Sequence, residues 1–410
     1  MKPMLGIAAR SAWNRRFALS LVVFSIALST FLLLGMERVR KDMRAHFSSA
    51  VSGTDLIVGA RAGSVQLLLY SVFRIGAASN NIRAPSAEAI ARLPQVAWTV
   101  PLSLGDSHRG FAVVATTADY FRHFRYGEGA ALAFAGGKAF AQPFEAVLGA
   151  DVAESLRYRL GERIVLAHGD GALEENDHDE MPFTVVGVLA RTGTPVDRSV
   201  HIDLDSMDAL HREPGPGSFS SGVGKPERTL TALLVGLKSR AAVFSVQRWV
   251  ADYRAEPLQA LLPGVALDEL WSLVGIAERS LVAMGALVFV VGLAGMVAVI
   301  LAGLDERRRE LAILRAVGAA PRHIMALLSL EAALITLGGV LLGVVATYAS
   351  TLLLSGWAQS HYGIALRVQP PEAGEWTILA AMVAAGLLAG LLPGVRAYRL
   401  SLADGLSPRI

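Results

Sequence analysis

Long uncharged runs alternate with stretches of ordinary polarity along this chain. The first run is Phe17 to Met36, 20 residues without a charge. At about 1.5 Å per residue it covers a hydrocarbon core of about 30 Å. The other runs lie in the last third: Ser280 to Leu304, Ile324 to Leu354 with one acid, Glu331, inside it, and Trp376 to Leu392. Together they predict four transmembrane helices, and no other segment has the length to cross. The first run is longer than the apolar part of a cleaved leader, and ERVRKDMR follows it rather than a small-residue cleavage site, so it reads as an anchor.

Between Glu37 and Arg279 the periods shorten and mix. Glu37 to Ala50 continues the first span as a helix. Leu56 to Val58, Trp98 to Leu104, Phe111 to Thr116, Ala146 to Leu148, Arg163 to Leu166, Phe183 to Leu189 and Leu230 to Val235 are strand candidates, rich in β-branched and apolar residues. PSAEAIARL (Pro85 to Leu93) reads as a helix capped by Ser86, and DVAESLRYRLGE as a helix ended by Gly161. Gln247 to Leu262 is expected to be helical, and Asp268 to Arg279 leads into the second span. The apolar run Val65 to Phe73 is too short to cross a membrane and is expected in the core. Gly127 to Pro143 and Glu213 to Lys225 are Gly/Pro/Ser-rich and read as surface loops. The fold class is therefore a four-span α-helical membrane protein with one large mixed α/β domain after the first span.

Basic residues set the orientation. Lys2, Arg10, Arg15 and Arg16 precede span 1; Arg307, Arg308, Arg309, Arg315 and Arg322 lie between spans 2 and 3; Arg396 and Arg399 follow span 4. The connection between spans 3 and 4 has only Arg367 against Glu372 and Glu375. Both termini and the 2–3 segment are thus expected in the cytoplasm, with the α/β domain outside. Composition agrees with a membrane protein: 53% hydrophobic and 18% charged, against about 25% charged for a soluble domain. The net charge of +3, with no basic patch interleaved with aromatics, argues against nucleic acid as a partner. Zero cysteines exclude disulfides and thiolate metal sites.

Three stretches resemble a known family. ERRRELAILRAVGAAPRHI (Glu306 to Ile324) resembles the cytoplasmic coupling segment of the MacB/FtsX/lipoprotein-release permeases of ABC systems. LLPGVRAYRLSLADGL (Leu391 to Leu406) resembles the end of that family's last helix, and Phe144 to Leu166 followed by FTVVGVL resembles the second half of its outer core domain. The resemblance implies a bacterial inner-membrane permease, a homodimer with a second copy of itself, and a helical stalk carrying the outer domain. It further implies mechanotransmission: ATP and Mg²⁺ are used by a cytoplasmic ABC ATPase, and the movement reaches the outer domain, which moves or extracts a substrate. Periplasmic or outer-membrane partners and membrane lipids complete the expected set. No G-x-x-x-x-G-K-[ST] occurs, and the GGK at Gly136 to Lys138 lacks both flanking requirements. The expectation is a non-enzymatic chain that binds no cofactor, with its ATPase in a separate chain. The organisation follows as 1–36 N-terminal segment and span 1, 37–279 stalk and α/β core domain, 280–304 span 2, 305–323 coupling segment, 324–354 span 3, 355–375 outer loop, and 376–410 span 4 and tail.

The coupling segment supplies the first candidate site. Leu311, Leu314 and Val317 share a side at about 3.6 residues per turn, and arginines cluster at its start. Its candidates for docking on the ATPase are Glu306, Arg307, Arg308, Arg309, Glu310, Leu311, Leu314, Arg315 and Gly318; the plain alternative is a positive-inside anchor. The second candidate is HGDGALEENDHDE (His168 to Glu180), with two histidines and six acids in 13 residues. His168, Asp177, His178 and Asp179 suit zinc or another divalent metal, against a solvated acidic loop. His123, His201 and His211 join only if the fold brings them close. Asp197, Arg198 and His201 lack an accompanying nucleophile motif and read as a stabilised turn. Glu331 reads as a structural acid near a membrane face. Two alternatives remain at this stage: a regulator of an extracytoplasmic hydrolase, as FtsX-type proteins are, and a component of zinc homeostasis.

Overall fold

The computed structural model of the chain describes residues 16–50, 52–76, 80–168, 181–211, 228–306, 320–362 and 368–399. Four of its helices are long and apolar enough to cross a membrane: α1 (Arg16–Ser49), α8 (Pro263–Glu306), α9 (Pro321–Tyr362) and α10 (Ala373–Arg399). All four overshoot the hydropathy-defined spans. Hydropathy marks only the length that sits in lipid, whereas a helix continues beyond it until its hydrogen-bonding run is capped, and α10 continues through Pro393. The chain divides into a helical unit, Met1–Lys41 with Gly275–Gly356 and Leu366–Ile410, and an α/β unit, Asp42–Val274 with Trp357–Ala365. The division falls inside two unbroken helices, α1 and α8.

The α/β unit is built on an eleven-stranded sheet among the described residues. Its strands are β1 (Leu56–Ala60), β2 (Val96–His108), β3 (Phe111–Thr116), β4 (Phe134–Gly137), β5 (Glu145–Leu148), β6 (Arg163–Ile164), β7 (Ala167–His168), β8 (Phe183–Leu189), β9 (Ser199–Asp203), β10 (Ala232–Leu237) and β11 (Leu258–Leu261). The order is β11-β1-β10-β2-β3-β9-β5-β8-β4, with β7 on β2 and β6 on β8. Only β9 with β3 and β8 with β5 run parallel; the other pairs are antiparallel. Both faces are covered, so period two sorts side chains into two cores rather than into core and solvent. Leu56 and Val58 belong to one core and Ile57 to the other; Val200 and Ile202 are opposed in the same way to His201. Helices α3 (Ala84–Ala91), α5 (Ala150–Leu156), α6 (Leu204–Leu210) and α7 (Val243–Ala251) place residues in the first core. Helices α2 (Ser64–Ser71) and α4 (Asp119–His123), with Ala266 and Leu267 of α8, fill the second. The Val65 to Phe73 run is core as expected, with Leu67, Leu68 and Phe73 buried.

Local chemistry moves several expected boundaries. Ser86 does not cap α3: the N-cap is Arg83, and Ser86 lies buried inside the first turn. Helix α5 ends at Leu156, where Arg157 takes the left-handed conformation (φ 57°). Gly161 (φ 86°) instead closes the next turn, its N–H donating to the Val185 carbonyl at 2.8 Å. Of the expected helix Gln247 to Leu262 only the start is helical. α7 stops at Ala251, and after Pro257 the chain becomes β11, whose Leu258, Ala260 and Leu261 are buried against β1. The Gly127 to Pro143 stretch contributes β4, which pairs with β8 at the sheet edge, rather than a plain loop. Leu230 belongs to a separate two-stranded pair with Ile82, and β10 starts at Ala232. The turn at Thr192–Asp197 is organised by Asp197 together with the hydroxyls of Thr192 and Thr194. The Asp197 carboxylate accepts from the Thr192 N–H (2.8 Å), the Thr192 hydroxyl (2.8 Å) and the Gly193 N–H (2.7 Å). Arg198 lies over the Phe111 ring instead. Glu213 to Lys225 is outside the described residues.

Candidate functional site

The coupling segment and the acidic loop fall largely outside the described residues. Glu306 is the last residue of α8; Arg307, Arg308, Arg309, Glu310, Leu311, Leu314, Arg315 and Gly318 lie outside. His168 ends β7 opposite Asp106, while Asp177, His178 and Asp179 lie outside. Among the described residues no group of three or more His, Cys, Asp or Glu side chains is arranged to hold a metal. The three further histidines each have their own neighbours. His123 stacks on Trp98 at 4.8 Å. His201 is fully buried beside Tyr120. His211 lies 3.5 Å from the buried carboxylate of Asp106.

At one end of the helical unit an ion network joins the helices. Arg38 on α1 makes a two-pronged contact with Glu375 on α10, Nε to Oε1 at 3.1 Å and Nη2 to Oε2 at 3.0 Å. The same guanidinium lies 4.1 Å from the ring centroid of Tyr348 on α9 and donates to the Gln369 carbonyl, which also accepts from the Tyr348 hydroxyl at 2.9 Å. Lys41 reaches Glu372 at 3.0 Å, and Arg40 bridges Glu37 on its own helix and Glu278 on α8. The bases that follow span 1 are therefore not loose charges. They are matched by the acids of the 3–4 connection and of α8. Sequence reading used Glu372 and Glu375 only as an orientation count; the pairing links residues 337 positions apart, which no local pattern reports.

Deeper in the unit, glycines set the helix spacing. A Cβ at Gly339 would meet Ile26 Cγ2 at 2.6 Å, and one at Gly343 would meet Thr30 Cβ at 2.5 Å and the Ala27 carbonyl oxygen at 2.6 Å. Gly292 faces Ser25, and Gly386 and Gly390 face Thr336 and Ala332. Small residues let backbones approach where lipid offers no hydrophobic drive. Span 1 thus packs on span 3, beside span 2, and span 3 on span 4. The outward side of α8 carries Leu281, Met284, Leu287 and Val291, all exposed, as a lipid-facing side requires.

In the α/β unit, the His211 imidazole gains most from its hydrogen bond to Asp106, which raises its pKa above the ordinary value; Asp208 and the Met207 carbonyl add to this against the cost of burial. A His with a raised folded pKa contributes stability that is full below its unfolded value, about 6.5, and is lost as pH rises through the folded value. The melting temperature of the wild type is therefore expected to fall, relative to His211→Gln, as pH rises above the unfolded value of about 6.5. Equal pH slopes for the two proteins would remove this pair from the account.

Two family models match the chain. That of the MacB-like periplasmic core domain matches residues 17–253, and that of the FtsX-like permease C-terminal region matches residues 282–402. The macrolide export ATP-binding/permease protein MacB of Wolinella succinogenes is 24% identical over 332 residues, 76% of this chain and 46% of that protein. The match thus spans about half the length of that relative. The crystal structure of the periplasmic region of MacB from Actinobacillus actinomycetemcomitans aligns with 56% of this chain and 97% of its own, with a TM-score of 0.36 and 11% identity. The extracellular domain of the noncanonic ABC-type transporter YknZ from Gram-positive bacteria aligns with 51% and 99%, with a TM-score of 0.32 and 12% identity.

Proposed function

Since this chain belongs to the MacB-like family of ABC permeases with an FtsX-type C-terminal region, we propose that it is a transporter subunit acting by mechanotransmission. A separate cytoplasmic ABC ATPase binds and hydrolyses ATP with Mg²⁺. The segment Glu306 to Gly318 docks on that ATPase, and the resulting movement reaches the α/β unit, which moves or extracts a substrate on the outer side of the inner membrane. Two copies of the permease work together, with both termini cytoplasmic. The observation that carries the reading is helix continuity: α1 and α8 each run unbroken through the division between the two units. A continuous helix transmits a displacement that a flexible linker would absorb.

The test is co-purification from native membranes. An ABC ATPase is expected with the wild-type permease, and its recovery is expected to fall by at least about tenfold with the triple reversal Arg307→Glu, Arg308→Glu, Arg309→Glu, the loss of a few charged contacts at an interface. No ATPase with the wild type would sink the proposal. A cell-wall hydrolase retained in its place would turn it toward the regulatory role of an FtsX-type protein.

A further inference from the structure

In the α/β unit a positive charge is largely enclosed with no carboxylate paired to it among the described residues. Arg74 follows α2 in the left-handed conformation (φ 60°), and this turn sends its side chain inward. The residue as a whole is half-buried, but its Nε and Nη1 are wholly enclosed and have no hydrogen-bond partner. Among the described residues no carboxylate pairs with it. An arginine cannot shed its proton to escape this cost. Beside it lies the hydroxyl of Tyr120, a fully buried residue whose oxygen is the polar group nearest the guanidinium's charge. Both side chains line one cavity, closed by Leu102, Phe124 and Val196. Its volume is about 10 Å³, room for the centre of a single water-sized group.

We propose that this cavity binds a small monovalent anion of the halide class, held by the Arg74 guanidinium and the Tyr120 hydroxyl. The enclosed Arg74 guanidinium and the Tyr120 hydroxyl belong to residues that line the same cavity. A water molecule fits the space but leaves the charge uncompensated, and a carboxylate with its substituent exceeds it. The surroundings supply no rival anion. His201, whose ring centre lies 5.2 Å from that of Tyr120 at a tilt of 33°, is held neutral, its pKa brought down to about 3 by burial and then by the Arg74 charge. Of the two other polar residues in the lining, Thr54 and Ser71, Ser71 spends its hydroxyl on the Leu67 carbonyl. Arg74, Tyr120 and Phe124 connect α2 and α4 across the second core, so an occupied site ties these two helices together. The site is independent of the ATPase partnership.

The experiment is thermal unfolding of the purified full-length protein in detergent at constant ionic strength, with gluconate, too large for the cavity, replaced stepwise by chloride. The wild type is expected to gain about 5 °C by about 100 mM chloride, the size of effect a millimolar site gives. Tyr120→Phe should keep the response with a weaker midpoint, and Arg74→Met should abolish it. If Arg74→Met fails to fold, Arg74→Lys, which keeps charge but loses the planar fork, is read instead and should weaken chloride binding at least about tenfold. Broadening of the ³⁵Cl magnetic resonance line by wild type, reduced in Tyr120→Phe, gives a direct readout. A wild type indifferent to chloride, or an equal response in the Arg74 variants, overturns the proposal.

Discussion

Replacing Arg38 with Met should lower the melting temperature of the purified protein by roughly 10 °C. Glu375 is only 4% exposed, and its two oxygens take the two prongs of the guanidinium at 3.1 and 3.0 Å. Removing one partner of such a pair leaves the other as an uncompensated buried charge, which costs about 3–5 kcal/mol. That loss corresponds to about 2–4 °C per kcal/mol for a unit of this size. The damage comes from the stranded acid rather than from the lost attraction. The double variant Arg38→Met, Glu375→Met should therefore recover most of the stability, because a buried pair exchanged for apolar residues is often neutral. Lys41→Met is the control. Its partner Glu372 has a 61% exposed side chain, and such a pair contributes about 0–1 kcal/mol. A double variant no more stable than Arg38→Met would show that stranding is not the cause.

That network also marks where the sequence stops being readable. The spans are legible because a membrane imposes one long-range condition, about 20 apolar residues in a row, and each of α1, α8, α9 and α10 meets it locally. Phe183 to Leu189 and Phe111 to Thr116 are found at their observed bounds, since β-branched runs between turns form strands in almost any sheet. β11 is missed because LQAL after a helical pattern gives no sign that β1 waits beside it. β4 is missed because its glycines resemble a loop, and only backbone pairing with β8 makes it a strand. Arg38 with Glu375 and Arg74 with Tyr120 join residues that are far apart in sequence, so neither constellation leaves a local motif. Arg74 shares its positive φ with the exposed Arg109 and differs from it in the apolar walls around its side chain.

Substituting neighbouring glycines of α9 should have opposite outcomes. Gly343→Val is expected to abolish a monodisperse protein in detergent, whereas Gly338→Ala should leave stability unchanged or raise it by up to about 1 kcal/mol, as removal of a helical glycine does. A Cβ at Gly343 would lie 2.6 Å from the Ala27 carbonyl and 2.5 Å from Thr30 Cβ, while one at Gly338 meets nothing within 4 Å. Backbone cannot yield as a flexible side chain can, so spans 1 and 3 must separate. Gly339 repeats the constraint one turn earlier against Ile26 and the Val23 carbonyl, which makes the pair a small-xxx-small contact. Separation would also pull Thr30 away from the buried face it shares with Met382, so the loss spreads beyond one side chain and exceeds the about 1–3 kcal/mol of ordinary overpacking. The readout is size-exclusion profile and melting temperature for both variants. Equal tolerance at the two positions would mean that span 1 does not rest on span 3. If the contact holds, any displacement of span 3 driven from the 2–3 segment carries α1 with it, and α1 is one of the two helices that continue into the α/β unit.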